Sequence, residues 1–114
     1  MVTHEISLSI TPIGSPEPIH LNKGDSDFQI VCNLGTRSGR FVISGGTTAQ
    51  ILGTKPDGEK YQANATVSVE DRVVTVDGDA GMTDAPGIGV FEICLTHARK
   101  VLHTQNFKVC IEDI

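Results

Sequence analysis

The clearest pattern in the sequence is an alternation of apolar and polar residues over residues 87–95. The apolar side chains of one parity are Phe91, Ile93 and Leu95. Glu92 and Cys94 have the opposite parity, which is typical of a strand with one face on a core. The run is followed by a polar segment, Thr96–Lys100, which is expected to be a loop. A second alternating run spans residues 107–111. Two such runs joined by a short polar segment predict an antiparallel hairpin.

Shorter alternating runs elsewhere predict further strands at 4–10, 27–34, 40–43, 47–53, 65–69 and 73–76. Their predicted inward residues include Ile6, Leu8, Ile10, Phe28, Ile30, Cys32 and Leu34, with Phe107, Val109 and Ile111 in the last strand. In the strand at 47–53, either Ala49 and Ile51 or their neighbours are expected to point inward. Turn residues recur about every 8–12 positions, as in β-sandwiches and barrels. The sharpest turn is Lys55-Pro56-Asp57-Gly58, in which Gly58 is expected to take a positive φ. No helical periodicity persists, so the pattern predicts an all-β fold.

Residues 11–24 form the weakest part of this pattern because they contain Pro12, Pro16 and Pro18. Proline removes a donor from the hydrogen-bond ladder, which excludes a regular central strand. We therefore expect an extended, proline-rich connection, with Ile19 and Leu21 forming a short strand at a sheet edge.

Composition narrows the function classes. The 114 residues suit one domain spanning residues 1–114. A formal net charge of −5 argues against a nucleic-acid partner and against an anionic membrane surface. No apolar run approaches the ~20 residues of a membrane span, and the N-terminal residues do not resemble a signal peptide. Three cysteines within apparent strands indicate a reducing cytoplasm or a particle assembled there.

Polar clusters offer little chemistry. Asp77, Asp79 and Asp84 resemble the start of a calcium loop, but the twelfth position counted from Asp77 is Ile88 rather than Glu. We therefore interpret these three aspartates as residues of structural turns, with a cation site as the alternative. The four histidines are expected at the surface, because none has a second ligand at metal-binding spacing. They are His4, His20, His97 and His103.

The cysteines leave one alternative open. Cys32 and Cys94 have the separation of an antibody-type disulfide, but the chain has no Trp, and Glu92 stands where that pattern has Tyr. We expect Cys32 to be a buried thiol, and Cys94 and Cys110 to face outward. No Gly-x-Ser-x-Gly motif occurs, and the glycine-rich residues 45–48 lack the Lys of a phosphate loop. No catalytic residue, metal ligand or cofactor is predicted, and an enzyme is not expected.

Three ordered features resemble a known family. They are the Gly24-Asp25-Ser26 turn leading into residues 28–34, the Lys55–Gly58 turn, and the strand at 89–95 followed by residues 105–109. Together they resemble the N-terminal domain of phage baseplate upper proteins and the related base domain of phage head fibres. The resemblance implies an immunoglobulin-like antiparallel β-sandwich. It also implies a role in holding a fibre or receptor-binding segment on a virion, often as a trimer.

The expectation is therefore a virion structural protein, assembled in the host cytoplasm, that contacts capsid or baseplate proteins and forms a homo-oligomer, with a trimer favoured. Because no coiled-coil heptads follow Asp113, the chain is expected to be a minimal member of the family or a truncated one. The interface is predicted at the outward residues Val31, Val90, Glu92 and Cys94. The alternative is a carbohydrate-binding or adhesive β-sandwich. A single tyrosine and four largely inward phenylalanines leave few aromatic rings to stack on sugars.

Overall fold

The structure is a computed structural model that describes residues 1–10, 14–36 and 39–113, except for the side chain of residue 40. The described residues form ten strands and no helix. The strands are β1 (Val2–Ser9), β2 (Ile19–Asn22), β3 (Phe28–Thr36), β4 (Gly39–Arg40), β5 (Thr48–Thr54), β6 (Lys60–Ser68), β7 (Val73–Asp77), β8 (Gly87–His97), β9 (Lys100–His103) and β10 (Phe107–Glu112). The prediction of an all-β fold is confirmed. Within the described residues, no helix is long and apolar enough to cross a membrane.

The strands follow one hydrogen-bonded path in the order β1-β3-β7-β6-β5-β8-β10-β2, with β4 beside β3 and β9 beside β8. Strand β6 carries this path between two sheets. Its first residues, Lys60 to Ala65, pair with β5 in the second sheet, and Thr66 to Ser68 pair with β7 in the first. The sheets thus wrap around a shared core as a nearly closed, barrel-like structure. This path does not by itself establish the predicted immunoglobulin-like sandwich.

Two strand pairs differ from the predicted antiparallel arrangement. Strand β1 pairs with β3 in parallel, and β2 pairs with β10 in parallel. The parallel pairing of β1 with β3 follows from the connection between them. After β1 the chain crosses to the second sheet, where it forms β2, and it then crosses back to form β3 in the first sheet. Parallel partners require such a crossover, whereas a tight hairpin joins antiparallel ones. The short strand predicted around Ile19 and Leu21 is confirmed at a sheet edge, while residues 11–13 of the connection lie outside the described residues.

The core follows the predicted parity closely. The buried residues are Ile6, Leu8, Ile19, Leu21, Phe28, Ile30, Cys32, Leu34, Ile43, Ala49, Ile51, Val74, Val76, Met82, Phe91, Ile93, Leu95, Phe107, Val109 and Ile111. Ile10, which lies just after β1, is only partly buried. The predicted pairing of β8 with β10 is confirmed, with Phe107 opposite Phe91.

Three predicted boundaries were wrong. The segment Thr96–Lys100 is not a polar loop, because β8 runs to His97 and a two-residue turn leads directly into β9. Ala98 and Arg99 form this turn with φ values of 48° and 68°. Residues 41–43 are not a strand, although Ile43 is still buried. Strand β6 begins at residue 60 rather than 65, since its early inward positions include alanine, which gives a weak apolar signal.

Two features hold neighbouring segments in position. The Lys55–Gly58 turn forms as predicted, with the Gly58 N–H donating to the Lys55 carbonyl at 2.9 Å and Gly58 at φ 90°. Between β9 and β10, Gln105 turns toward β1. Its backbone N–H donates to the Ser9 carbonyl at 2.9 Å, and its side-chain oxygen accepts from the Ser9 N–H at 2.8 Å. Gln105 therefore joins the two sheets near the open side of the barrel.

Candidate docking face

The structure brings together three of the four predicted interface residues. Val90, Glu92 and Cys94 alternate along β8 with the buried residues Phe91 and Ile93, so they project from the outer side of the second sheet. Val31 lies on β3 in the first sheet, opposite Thr75 of β7, and it is therefore separate from the other three. The outer side of the second sheet around β8 is named the docking face. Its members are Leu52, Ile88, Val90, Glu92, Cys94, Lys108 and Cys110.

An apolar strip crosses the docking face. Ile88 lies opposite Cys110 of β10, and Val90 follows Ile88 with the same parity on β8. Leu52 of β5 lies opposite Glu92, and hence diagonal to Val90. Ile88 and Val90 are both exposed. Sequence reasoning missed Ile88 and Leu52, although the parity of Ile88 with Val90 was a usable signal.

Polar side chains border this strip. On β5 and β6, Gln50 donates to Asn64 at 3.3 Å and accepts from Gln62 at 3.2 Å. On the other border, Lys108 lies opposite Val90. An apolar centre with a polar border is the usual anatomy of a protein–protein contact. The arrangement therefore suits binding to another protein surface.

The same face holds a thiol, an imidazole and a carboxylate as neighbours. Cys94 lies opposite His103 of β9, and His103 Nδ1 is 3.1 Å from Glu92 Oε2. Burial, followed by the negative charge of Glu92, raises the pKa of the Cys94 thiol, whereas its hydrogen bond with Thr96 lowers it. A nucleophilic cysteine needs a lowered pKa and a base bonded to its sulfur. The geometry therefore gives no support to thiol catalysis at Cys94.

The three cysteines are free thiols. Cys32 is buried on the core-facing side of the first sheet, and burial raises the pKa of its thiol to about 12. Cys94 projects outward from the second sheet. The prediction of a buried Cys32 is thus confirmed, and the disulfide between Cys32 and Cys94 is absent from the structure.

The acidic loop after β7 is held by internal bonds. Asp79 accepts from the Tyr61 hydroxyl at 2.8 Å and from the Gly81 N–H at 2.9 Å. These bonds, with Gly81 contributing most, lower the pKa of Asp79. Asp84 forms an ion pair with Lys55 at 2.7 Å. These contacts give Asp79 and Asp84 structural roles, and the described residues include no cluster of three or more potential metal ligands.

Tyr61, the one tyrosine, is also committed to internal contacts. Its ring packs edge-on against Phe91, with a centroid distance of 6.0 Å and an interplanar angle of 83°. Burial, followed by the bond to Asp79, raises the pKa of the Tyr61 hydroxyl. This packing leaves Tyr61 poorly placed to stack on a sugar.

Comparison with known proteins shows the fold. No family model matches the chain, and no curated protein gives a significant sequence match. Among solved structures, the N-terminal domain of phage TP901-1 ORF48 superposes with a TM-score of 0.80 at 12% identity, covering 98% of this chain and 99% of that one. CopC from Methylosinus trichosporium OB3b gives a TM-score of 0.50 at 12% identity, covering 84% of each chain. The chain therefore has the same all-β fold as the phage domain over nearly its whole length.

Proposed function

We propose that this protein is a structural component of a bacteriophage virion. In this proposal it holds a fibre or receptor-binding segment on the capsid or baseplate through protein–protein contacts. The observation that carries the proposal is the superposition on a phage domain over 98% of this chain and 99% of that one. A match across both whole chains means that neither contains a large inserted domain. The proposal is also supported by the ordered sequence features that resemble phage baseplate upper proteins and head-fibre base domains. These features lie at Gly24–Leu34, Lys55–Gly58 and Gly89–Leu95.

The docking face supports a role in assembly rather than in chemistry. Val90 and Ile88 expose aliphatic surface beside Cys110, and apolar surface on a sheet face is commonly covered by a partner. We also propose that the protein forms a homo-oligomer, with a trimer favoured, and that its two sheets pack as in an immunoglobulin-like β-sandwich. We also propose that the protein is not an enzyme and requires no cofactor. Its net charge of −5 supports the further proposal that it contacts neither nucleic acid nor an anionic membrane surface.

A carbohydrate-binding module stays the alternative function. The aromatic residues favour it little, because Phe28, Phe91 and Phe107 are buried and Tyr61 packs on the core. Sugar recognition on β-sandwiches ordinarily uses exposed aromatic rings. A glycan array with the purified protein would test this alternative directly.

The decisive variant is Val90→Lys, which places a charge at the centre of the docking face. Its control is Val69→Lys, because Val69 lies in the turn after β6 and is 45% exposed, close to the 38% of Val90. We expect Val90→Lys to lose self-association in light scattering and to be missing from purified virions, while its circular dichroism is unchanged. Val69→Lys should assemble normally. A wild-type protein that is monomeric and absent from virions would contradict the proposal, as would full incorporation of Val90→Lys.

A further inference from the structure

A second surface lies at the tip of the β8–β9 hairpin. All four residues of β9 are exposed. Within the described sheet β9 pairs with β8 alone, whereas the following strand, β10, has β2 on its other side. Among the described residues, the edge of the second sheet is thus paired with β2 along β10 and has no partner strand along β9.

The turn geometry shows which backbone groups face this open edge. Ala98 and Arg99 both have positive φ, as in a type I′ turn, in which the flanking residues His97 and Lys100 hydrogen-bond to each other. Hydrogen-bonded and non-bonded pairs alternate along an antiparallel ladder. The N–H and C=O groups of Val101 and His103 therefore point away from β8, toward the open edge.

An apolar cleft lies beside this edge. Leu102 is opposite the buried Leu95, and both line the cleft with Phe41, from the loop that precedes β5. Val101 is 56% exposed and Leu102 is 39% exposed. Natural proteins usually protect such edges with charges, proline or a covering segment, and Lys100 is the one lysine, arginine or carboxylate residue within β9.

The charge around the cleft indicates the kind of segment that would fit. The described lining includes His97 and Lys100 but no carboxylate, and Arg99 lies at the hairpin tip. Acidic residues lie instead around Gly87, at the other end of β8. Gly87 is beside Pro56 and opposite Ile111, which Asp57 and Glu112 follow, and Lys55 pairs there with Glu59 and Asp84. A second copy pairing through β9 would bring the cationic residues of two tips together, which charge complementarity disfavours.

We propose that the β9 edge and this cleft bind an extended acidic segment of a partner protein by strand addition. The segment would hydrogen-bond to the outward backbone groups of Val101 and His103. Alternate apolar side chains would enter the cleft beside Leu102, and carboxylates would lie near Arg99 and Lys100. The β9 edge adjoins the docking face at His103, which lies opposite Cys94, but the cleft lining contains no member of that face. This inference does not depend on the proposed virion role.

The test uses the whole chain and three fluorescein-labelled probes. The first is an eight-residue peptide that alternates glutamate with valine or leucine, the second replaces each glutamate by lysine, and the third is a short single-stranded oligothymidine. We expect fluorescence anisotropy to give a dissociation constant at least about tenfold lower for the acidic peptide than for either other probe. Amide hydrogen exchange should slow at Val101 and His103 when the acidic peptide is bound.

Three variants locate the site. Leu102→Asp and Lys100→Glu should each weaken binding of the acidic peptide about tenfold, because they change the apolar contact and the charge. Val101→Pro should abolish it by removing an outward N–H, a position where an edge strand tolerates proline. The control Val69→Asp should bind normally, since Val69 lies in the turn between β6 and β7 and does not line the cleft.

Several results would overturn the inference. One is no binding of the acidic peptide at about 1 mM, which corresponds to a free energy near −4 kcal/mol. Equal binding of oligothymidine would indicate a general polyanion site instead of strand addition. Unchanged affinity in Lys100→Glu, a surface change that should not affect folding, would also refute it, even if Val101→Pro failed to fold.

Discussion

Replacing Phe91 by alanine should remove the centre of the core in the second sheet. Phe91 is 1% exposed, and its ring contacts Tyr61 and Phe107 at centroid distances of 6.0 and 6.2 Å. Truncating a buried phenylalanine to alanine costs ~3–5 kcal/mol. Because domains of this size are stable by about 5–15 kcal/mol, Phe91→Ala should lose between roughly a fifth and all of that stability. Glu92→Ala, on the outer face, should cost under ~1 kcal/mol.

The glycines beneath the ring allow a sharper test. A Cβ at Gly89 would be 2.7 Å from Phe91 Cε2 and 3.1 Å from Cζ, with the Thr54 carbonyl at 3.3 Å. Gly89→Ala should therefore cost ~1–3 kcal/mol in the wild type, because the ring must shift. Phe91→Leu removes both ring atoms while keeping much of the apolar volume. In that background Gly89→Ala should cost at least about 1 kcal/mol less, which is a measurable coupling between contacting residues.

Gly53 provides the matched control for this double-mutant cycle. A Cβ at Gly53 would overlap Phe91 Cδ1, and it would also lie 2.5 Å from the Val90 carbonyl, which is backbone. Gly53→Ala should therefore remain costly when Phe91 is replaced. Urea unfolding followed by circular dichroism measures each free energy. Equal costs of Gly89→Ala in both backgrounds would refute the packing argument, as would equal losses in Phe91→Ala and Glu92→Ala.

Two further predictions concern a turn and a loop. Gly58→Val should lower the free energy of unfolding by ~1–3 kcal/mol, because Gly58 has φ 90° and the space around its Cβ position is open, so the cost is backbone strain alone. Gly58→Asn should cost less, since asparagine tolerates a positive φ better. Unchanged thermal melting of the valine variant would contradict this reasoning. Hydrogen bonds lower the folded-state pKa of Asp79, so its stabilisation is present above the unfolded value near 3.8 and is lost as the pH falls through the folded value. Asp79→Asn should therefore be less stable than wild type at neutral pH but not in strong acid, and a urea-midpoint difference that is constant with pH would refute this.

Strand parity was the part of the fold that the sequence predicted best. Phe28, Ile30 and Cys32 alternate with polar or less buried neighbours, and all three are in the core. Such large apolar residues at a period of two leave little freedom of register, because a slip by one residue would expose them all. The sheet order was not predictable in this way, since parity states only whether a side chain points inward.

Turn geometry was predictable only where the residues are specialised. Gly58 follows Pro56 and Asp57, and its positive φ was expected from that composition. Ala98 and Arg99 also have positive φ, but neither is a usual residue for a type I′ turn. The pairing of β8 with β9 imposes that turn, and the local sequence alone gave no sign of it.

The candidate interface could be predicted only in part, because the sequence indicates which side chains point outward but not which sheet carries them. Val90, Glu92 and Cys94 were predicted on one surface because they alternate along a single strand. Val31 was grouped with them because it also points outward, but its strand belongs to the first sheet. Gln105 was not predicted to have a structural role, since its partner Ser9 is distant in sequence.

The apolar strip of the docking face and the cleft beside β9 are far enough apart to be occupied at once. Val90, at the centre of the docking face, is five residues from Leu95, which lies opposite Leu102 in the cleft. At ~3.3 Å per residue, this separation is roughly 17 Å along the strand. Glu92 of the docking face bonds to the side chain of His103, whose backbone belongs to the β9 edge, so this polar pair lies between the apolar strip and the cleft. A domain that contacts one partner through a sheet face and another through a strand edge can join the two, and each contact would be lost independently when its own surface is changed.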